Sequence, residues 1–318
     1  MGPNPTIADL VARRAAGDLD RDAYWSAMSA WHAALLDYGP LLERCGAERL
    51  VIEPSGLILE LADGTRWTWR PGDRRAPPVV VLDDGEYEAA ERRLLVGLMP
   101  EGGVALDVGA NLGWYTVRLA RRAGASGRVH AFEPAAASFG LLETNLHLNG
   151  VGASVAPHRI ALGESSGEVT LYTPALTGSV AASQRPLFAD EPQEIETCPA
   201  ETLDAFVERQ SIDAVALVKC DVEGGELAFL KGARATLESR RPILMVELLR
   251  KWSAVYGYHP NDAAGLLAGI GFDCYAIAGP TLAPVPVIDD ACPHTNFFFI
   301  PHEVVAETLS RAAYLLAG

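Results

Sequence analysis

The chain has 318 residues, 49% of them hydrophobic, and a formal net charge of −15 at pH 7. That length suits one large domain, or one domain with an N-terminal extension, and no apolar run is long enough to predict a transmembrane helix. So acidic a chain argues against sequence-independent nucleic-acid binding, which needs a basic surface, and mildly attracts cationic small molecules.

The start, "MGPNPTIADL", lacks the charged and apolar regions of a secretory signal. "TIADLVARRAAG" and "DRDAYWSAMSAWHAALLDYG" carry apolar residues at helical spacing, with Asp20 as a cap. Trp25, Met28, Trp31 and Leu35 make one stripe, expected to pack on the main domain. The alternative is a homodimer contact or a substrate lid. "RLVIEP", "LILELA" and "RWTWRP" alternate as strands around "SG" and "DG" turns and predict a small antiparallel meander. "RPGDRRAPP" is then a linker, and "DDGEYEAAERRLLVGLMPEGG" an acid-capped helix. The expected division is 1–80 for helices and meander and 81–318 for the main domain.

From residue 104 the pattern becomes strand and helix in turn. Strands are predicted at "VALDVG", "RVHAFEP", "VAPHRIAL", "AVALVKCDV" and "PILMVEL", with helices between them. "FDCYAIA" and "TNFFFIP" close the sheet. A polar interruption follows, containing strands "EVTLY" and "QEIETC"; its part around residues 173–199 is long enough to serve as a lid, and Ser179 within it is a candidate for the substrate pocket. Apolar, β-branched strands alternating with helices predict an α/β fold with a doubly wound, mostly parallel sheet. The five cysteines are widely spaced and odd in number, which suits reduced thiols in the cytoplasm rather than disulfides or zinc.

In such folds ligands bind outside the carboxyl ends of the strands. The first strand ends in Asp107-Val-Gly109-Ala110-Asn111-Leu-Gly113. The glycines allow a tight turn at a helix N-terminus, but Asp107 would repel the diphosphate of a nicotinamide cofactor. A carboxylate there suits a ligand with an ammonium group. The second strand ends in Glu133-Pro134, and Glu133 lies 20 residues after Gly113, where an acid can hold both ribose hydroxyls. A ribose and an ammonium without phosphate describe S-adenosylmethionine. Both acids could equally cap the following helices, which is compatible with ligand binding. Ile160, Ala161 and Leu162 would pack on the adenine or belong to the core.

The fourth strand brings Lys219, Asp221, Glu223 and Glu226 to one end, and the fifth ends in Glu247. Glu223 and Glu226 are accounted for by the helix dipole. Asp221 and Glu247 are candidates for a general base or for ligands of a divalent metal such as magnesium. Lys219, on the same side of its strand as Asp221, would pair with an acid or orient substrate. His294, Asn296 and His259 are alternative proton acceptors.

"DVGANLGWYTV", "AFEP", "ETNLHLNG", "IALGESSGEVTLY", "ETLDAFV", "VKCDVEGGELAFLKGA" and "PILMVEL" together resemble the FkbM family of S-adenosylmethionine-dependent methyltransferases, from about residue 87 to 301. The resemblance implies a Rossmann-like class I methyltransferase fold with an antiparallel last strand. It implies cofactor positions at Asp107, Gly109, Asn111, Gly113 and Glu133, with Ala110, Pro134, Ala161 and Asp221 beside them. It implies O-methylation of a small-molecule hydroxyl, on a sugar or a natural-product scaffold. The alternatives are an N- or carboxyl-methyltransferase, or a cofactor-binding protein without activity.

Overall fold

The computed structural model describes residues 5–175, 178, 181–188 and 190–317. Ser179 lies outside the described residues.

Three helices open the chain, at Ile7–Ala16, Arg21–Leu36 and Tyr38–Cys45. Thr6 and Asp9 form a capping box on the first, and Asp20 caps the second through the Ala23 amide at 2.8 Å. The expected packing of the second helix is not what forms. None of its residues is buried, and Trp25 and Leu35 are each 51% exposed. The stripe is covered only locally, by Arg21 lying 4.1 Å over the Trp25 ring and by the Trp31 indole donating to the Pro5 carbonyl.

The meander follows as β1 (Ala47–Glu53), β2 (Gly56–Leu61) and β3 (Arg66–Trp67). It is bound tightly to the rest. The Asn145 amide bridges the Thr68 backbone and the Leu112 carbonyl, and Asn149 holds the Arg66 N–H and carbonyl. These are the two asparagines of "ETNLHLNG", so that motif staples the meander onto the helix Ala136–Leu148. Leu59 and Trp67 share one core with Leu94, Trp114 and Val117. The division expected at residue 80 falls inside the helix Pro77–Asp84, part of which was read as linker.

The remaining strands are β4 (Val104–Val108), β5 (Arg128–Phe132), β6 (Val155–His158), β7 (Ala161–Leu162), β8 (Gly167–Pro174), β9 (Gln193–Glu201), β10 (Leu217–Cys220), β11 (Ile243–Glu247), β12 (Phe272–Ala278), β13 (Thr281–Pro284) and β14 (Asn296–Pro301). The main sheet has the order β13-β12-β14-β11-β10-β4-β5-β6. β11, β10, β4, β5 and β6 run parallel, and β14 is inserted antiparallel between β11 and β12. This is the expected Rossmann-like methyltransferase sheet. The run "VAPHRIAL" is not one strand. It breaks after His158, and Ala161–Leu162 joins β9 and β8 in a separate three-stranded sheet.

The chain leaves β4 towards β5 and β6, then returns to β10 and β11 on the other side, so the topological switch lies between β4 and β10. Alternation along each strand sorts side chains to two cores. Ala105, Ala131, Leu217, Met245 and Phe298 face one, and Leu106, Phe132, Val218, Val246 and Phe297 the other. Counting by twos from the first set reaches Asp107, Glu133, Lys219, Asp221, Glu247 and Asn296, which therefore gather on one face at the carboxyl edge. Among the described residues, no helix is long and apolar enough to cross a membrane. All five cysteines are free.

His130 and His158 stack 5.4 Å apart on β5 and β6, with ring nitrogens 3.1 Å from each other, against Phe132 and Phe206. Burial first, then neighbouring positive charge, lowers both to about 4 from the ordinary value of 6.5. The unfolded chain therefore binds more protons than the folded one between about pH 6.5 and 4, and stability falls as pH drops through that window. Urea titrations at pH 7 and pH 5 are expected to show this loss, with a shallower slope in a His158→Gln variant; an unchanged slope would disprove the assignment.

Candidate active site

The cavity opens at the switch point. Gly109 and Gly113 sit at φ +76° and +94°, and Asn111 between them is also left-handed. Both the Gly109 and Ala110 amides donate to the Phe132 carbonyl at 3.0 Å, which fastens the turn to β5. A Cβ on Gly109 would stand 1.8 Å from the Asp221 carbonyl oxygen. Glycine is thus required where the β4 turn meets the chain leaving β10, beyond any need for ligand approach.

Gly109, Ala110, Asn111, Glu133, Pro134, Ala161, Lys219 and Asp221, all anticipated, line this one cavity. Glu133 is 6% exposed, and its two oxygens accept the Asn111 and Ala135 amides at 2.8 and 2.9 Å. Burial raises it to about 7, against the pull of those amides. Each carboxylate oxygen keeps a further lone pair, so the group can still accept hydroxyls. Phe132, Ile160, Leu162 and Leu171 add an apolar wall nearby. The Asn111 side-chain oxygen is buried without a hydrogen-bond partner.

Asp107 and Gly113 do not line the cavity. The Asp107 carboxylate is buried, takes the Thr116 hydroxyl on one oxygen and leaves the other without a hydrogen bond. Burial raises its pKa, opposed by Lys219 and Thr116. Lys219 stands directly opposite in register. Asp107 thus holds the Thr116 hydroxyl beneath the cavity rather than forming part of its surface. The Lys219 ammonium, 6% exposed, donates to the Gly109 carbonyl at 3.0 Å and to Asp221 at 3.1 Å. Burial works against its charge, yet Asp221, Asp107 and Glu88 together hold its pKa above the ordinary value.

The cavity also has an acidic part to its lining: Glu88, Asp221 and Glu223. The acid-capped helix expected over this stretch begins after Glu88, at Ala89. Glu88 makes no cap bond; its backbone is left-handed at φ +44°, and its carboxylate turns inward. There it accepts the Tyr115 hydroxyl at 2.8 Å and the Asn296 amide at 3.0 Å. Burial and then Asp221 raise its pKa, and Glu223 is raised by the same two causes. One Glu223 oxygen is buried without a partner. Glu247 lies outside the lining, but burial and the charges of Asp221, Glu223 and Glu88 push it up as well. Glu226 is a loop clamp: it takes the Val222 and Gly224 amides and the Tyr258 hydroxyl.

His294 is half-buried in a separate surface groove with Arg250 and Asp290, and His259 caps the helix Pro260–Gly269. Asn296 reaches the site only through Glu88. From the polar interruption, Ala182, Ser183 and Gln184 wall the cavity, and the Gln184 amide donates to the Tyr256 hydroxyl. Among the described residues, no three His, Cys, Asp or Glu side chains gather as a metal site. Sequence reasoning missed Glu88, Tyr87, Tyr115 and Gln184 as cavity residues.

Residues 107–262 match the methyltransferase FkbM domain. This part of the chain is an FkbM methyltransferase domain. It holds the β4 turn, Glu133, Lys219, Asp221 and Glu223, whereas Glu88 stands ahead of it. A methyltransferase of Beauveria bassiana is 28% identical over 153 residues, covering 43% of this chain and 61% of that protein. The hexuronic acid methyltransferase AglP of Haloferax volcanii is 30% identical over 181 residues, covering 55% of this chain and 66% of that protein. The chain thus spans just under two thirds of these relatives. Among solved structures, methyltransferase FkbM from Methylobacillus flagellatus is 18% identical with a TM-score of 0.40, covering 70% of this chain and 53% of that one.

Proposed function

We propose that the protein is an S-adenosylmethionine-dependent O-methyltransferase for a hydroxyl of a small molecule, a sugar or a natural-product scaffold. The observation that carries this is one cavity at the switch point whose lining is of two kinds. Glu133 and the apolar wall of Ile160 and Leu171 come from the β5, β6 and β8 side, and the carboxylates of Asp221 and Glu223 follow β10, with Glu88 also in the lining. The donor set fits the cofactor. Glu133 has free lone pairs for ribose hydroxyls, the wall suits a flat base, and the unpartnered Asn111 oxygen can accept from an ammonium group. The hexuronic acid named for the Haloferax relative is in keeping with a sugar-like acceptor.

When bound, S-adenosylmethionine supplies an activated methyl group. The chain's own residues must align the acceptor oxygen and take its proton, since an aliphatic hydroxyl is a weak nucleophile. Asp221, ion-paired with Lys219, is the proposed proton acceptor, and Glu88, oriented by Tyr115 and Asn296, holds the acceptor hydroxyl beside it. Glu247 supports the field from outside the lining. The acidic lining also favours a cationic acceptor, so an amine is the second reading.

The test is methyl transfer from labelled S-adenosylmethionine to a panel of uronic acids, glycosides and amines, with and without excess EDTA. Asp221→Asn is expected to lower kcat by about 10²–10⁴ while leaving cofactor affinity by calorimetry nearly unchanged. A fully active variant removes Asp221 from the mechanism, and loss of activity in EDTA would bring back a metal. The exposed face of the helix Arg21–Leu36 is the surface we assign to pairing of two chains, in the cytoplasm.

A further inference from the structure

Two arginine-rich turns take no part in the site above: Arg92 and Arg93 on the helix Ala89–Leu98, and Arg118, Arg121 and Arg122 on the helix Trp114–Ala123. All five line one surface groove against the meander, with Asp63 the only carboxylate in its lining. The chain has 26 Lys and Arg against 41 Asp and Glu, so this concentration runs against its overall charge. Two of the guanidinium groups are fixed in place. Arg118, 6% exposed, stacks on Trp114 and Trp67 at 4.1 and 4.9 Å and pairs with Asp63 at 3.0 Å. Arg121 donates to the Asp63 and Gly64 carbonyls and to Asn149.

The other three are not neutralised. The side chains of Arg92, Arg93 and Arg122 make no hydrogen bond or ion pair among the described residues, and the Nε of Arg92 is buried without an acceptor. A buried charged donor without an acceptor is met by water or by an anion from outside the chain. Burial, and then repulsion from Arg92 and Arg121, pulls Arg118 down to about 10 despite Asp63. The single acid therefore falls short of the positive charge around it.

We propose that this groove is an anion-binding site for a phosphate or diphosphate group, separate from the methyl-transfer cavity. Guanidinium groups from two helices converge on one concavity, so an anion with oxygens on several sides meets several donors at once. A phosphate-type group offers that and a single carboxylate edge does not.

Isothermal titration of the full chain with sodium pyrophosphate, at fixed ionic strength, tests the site. Wild type is expected to bind at a single site. Arg93→Ala/Arg122→Ala, both exposed and so tolerated by the fold, is expected to weaken binding at least about tenfold. Lys231→Ala/Arg234→Ala removes two exposed cations elsewhere and is expected to leave affinity unchanged. Absence of binding in wild type, undiminished binding in the groove variant, or an equal loss in the control pair would each overturn the proposal.

Discussion

Gly109→Ala is expected to abolish S-adenosylmethionine binding and to destabilise the fold by about 2–5 kcal/mol. Two costs combine. The residue is at φ +76°, where an L side chain is strained, and its Cβ would stand 1.8 Å from the Asp221 carbonyl oxygen. That neighbour is backbone, anchored by the Asp221 amide on the Val108 carbonyl at 3.0 Å, so it cannot swing aside. Moving it would spread β4 from β10 and detach Lys219 from the Gly109 carbonyl. Gly150→Ala is the matched control. It is also left-handed, at φ +65°, with nothing within 4 Å of the added carbon, so it should show the strain alone, about 1–2 kcal/mol, with cofactor binding intact. Denaturant titration and calorimetry on the two variants separate the terms, and retained cofactor affinity in Gly109→Ala would show that the turn does not shape the pocket.

The part of the site legible in sequence is the part whose chemistry is local. A strand running into Gly109, Asn111 and Gly113 announces a turn with left-handed residues, and all three are left-handed. Period-two alternation puts Lys219 and Asp221 on one side of β10, and they pair at 3.1 Å. Glu88 could not be found that way. It lies 27 residues from Tyr115 and 208 from Asn296, and an acid ahead of an apolar helical run reads as a cap. Its left-handed backbone and its bonds to Tyr115 and Asn296, none of them visible in the sequence, accompany a carboxylate that lines the cavity. Asp107 shows the converse: an acid at the strand end is legible in sequence, but that it is buried against Thr116 and outside the cavity lining is not. The helical stripe of Trp25 and Leu35 predicted a buried face, because periodicity reports an apolar face without reporting what covers it. The break after His158 was hidden because a two-residue strand in a second sheet continues the same apolar run.

Lys219→Met should cost about 3–5 kcal/mol, the range for removing one partner of a buried ion pair. Methionine keeps most of the lysine stem, so the loss is electrostatic rather than a cavity. What remains is Asp221 and buried Asp107 with the ammonium gone, and Glu88 near enough to add to the repulsion. The sign of the pH dependence separates this from a packing defect. In the wild type the folded-state pKa of Lys219 is raised, so its contribution is complete below the ordinary lysine range and is lost only in strong base. It is therefore constant from pH 5 to 8. In the variant Asp107, raised by burial already, loses the counter-charge that opposes the rise and binds protons more readily than in the unfolded chain, so acid relieves the penalty. The stability gap between wild type and Lys219→Met is expected to narrow from pH 8 to pH 5. Adding Asp221→Asn should recover part of it at pH 8, because one of the unpaired charges is then gone. A gap of constant size across that range, with no recovery in the double variant, would mean that Lys219 acts through its stem and not through its charge.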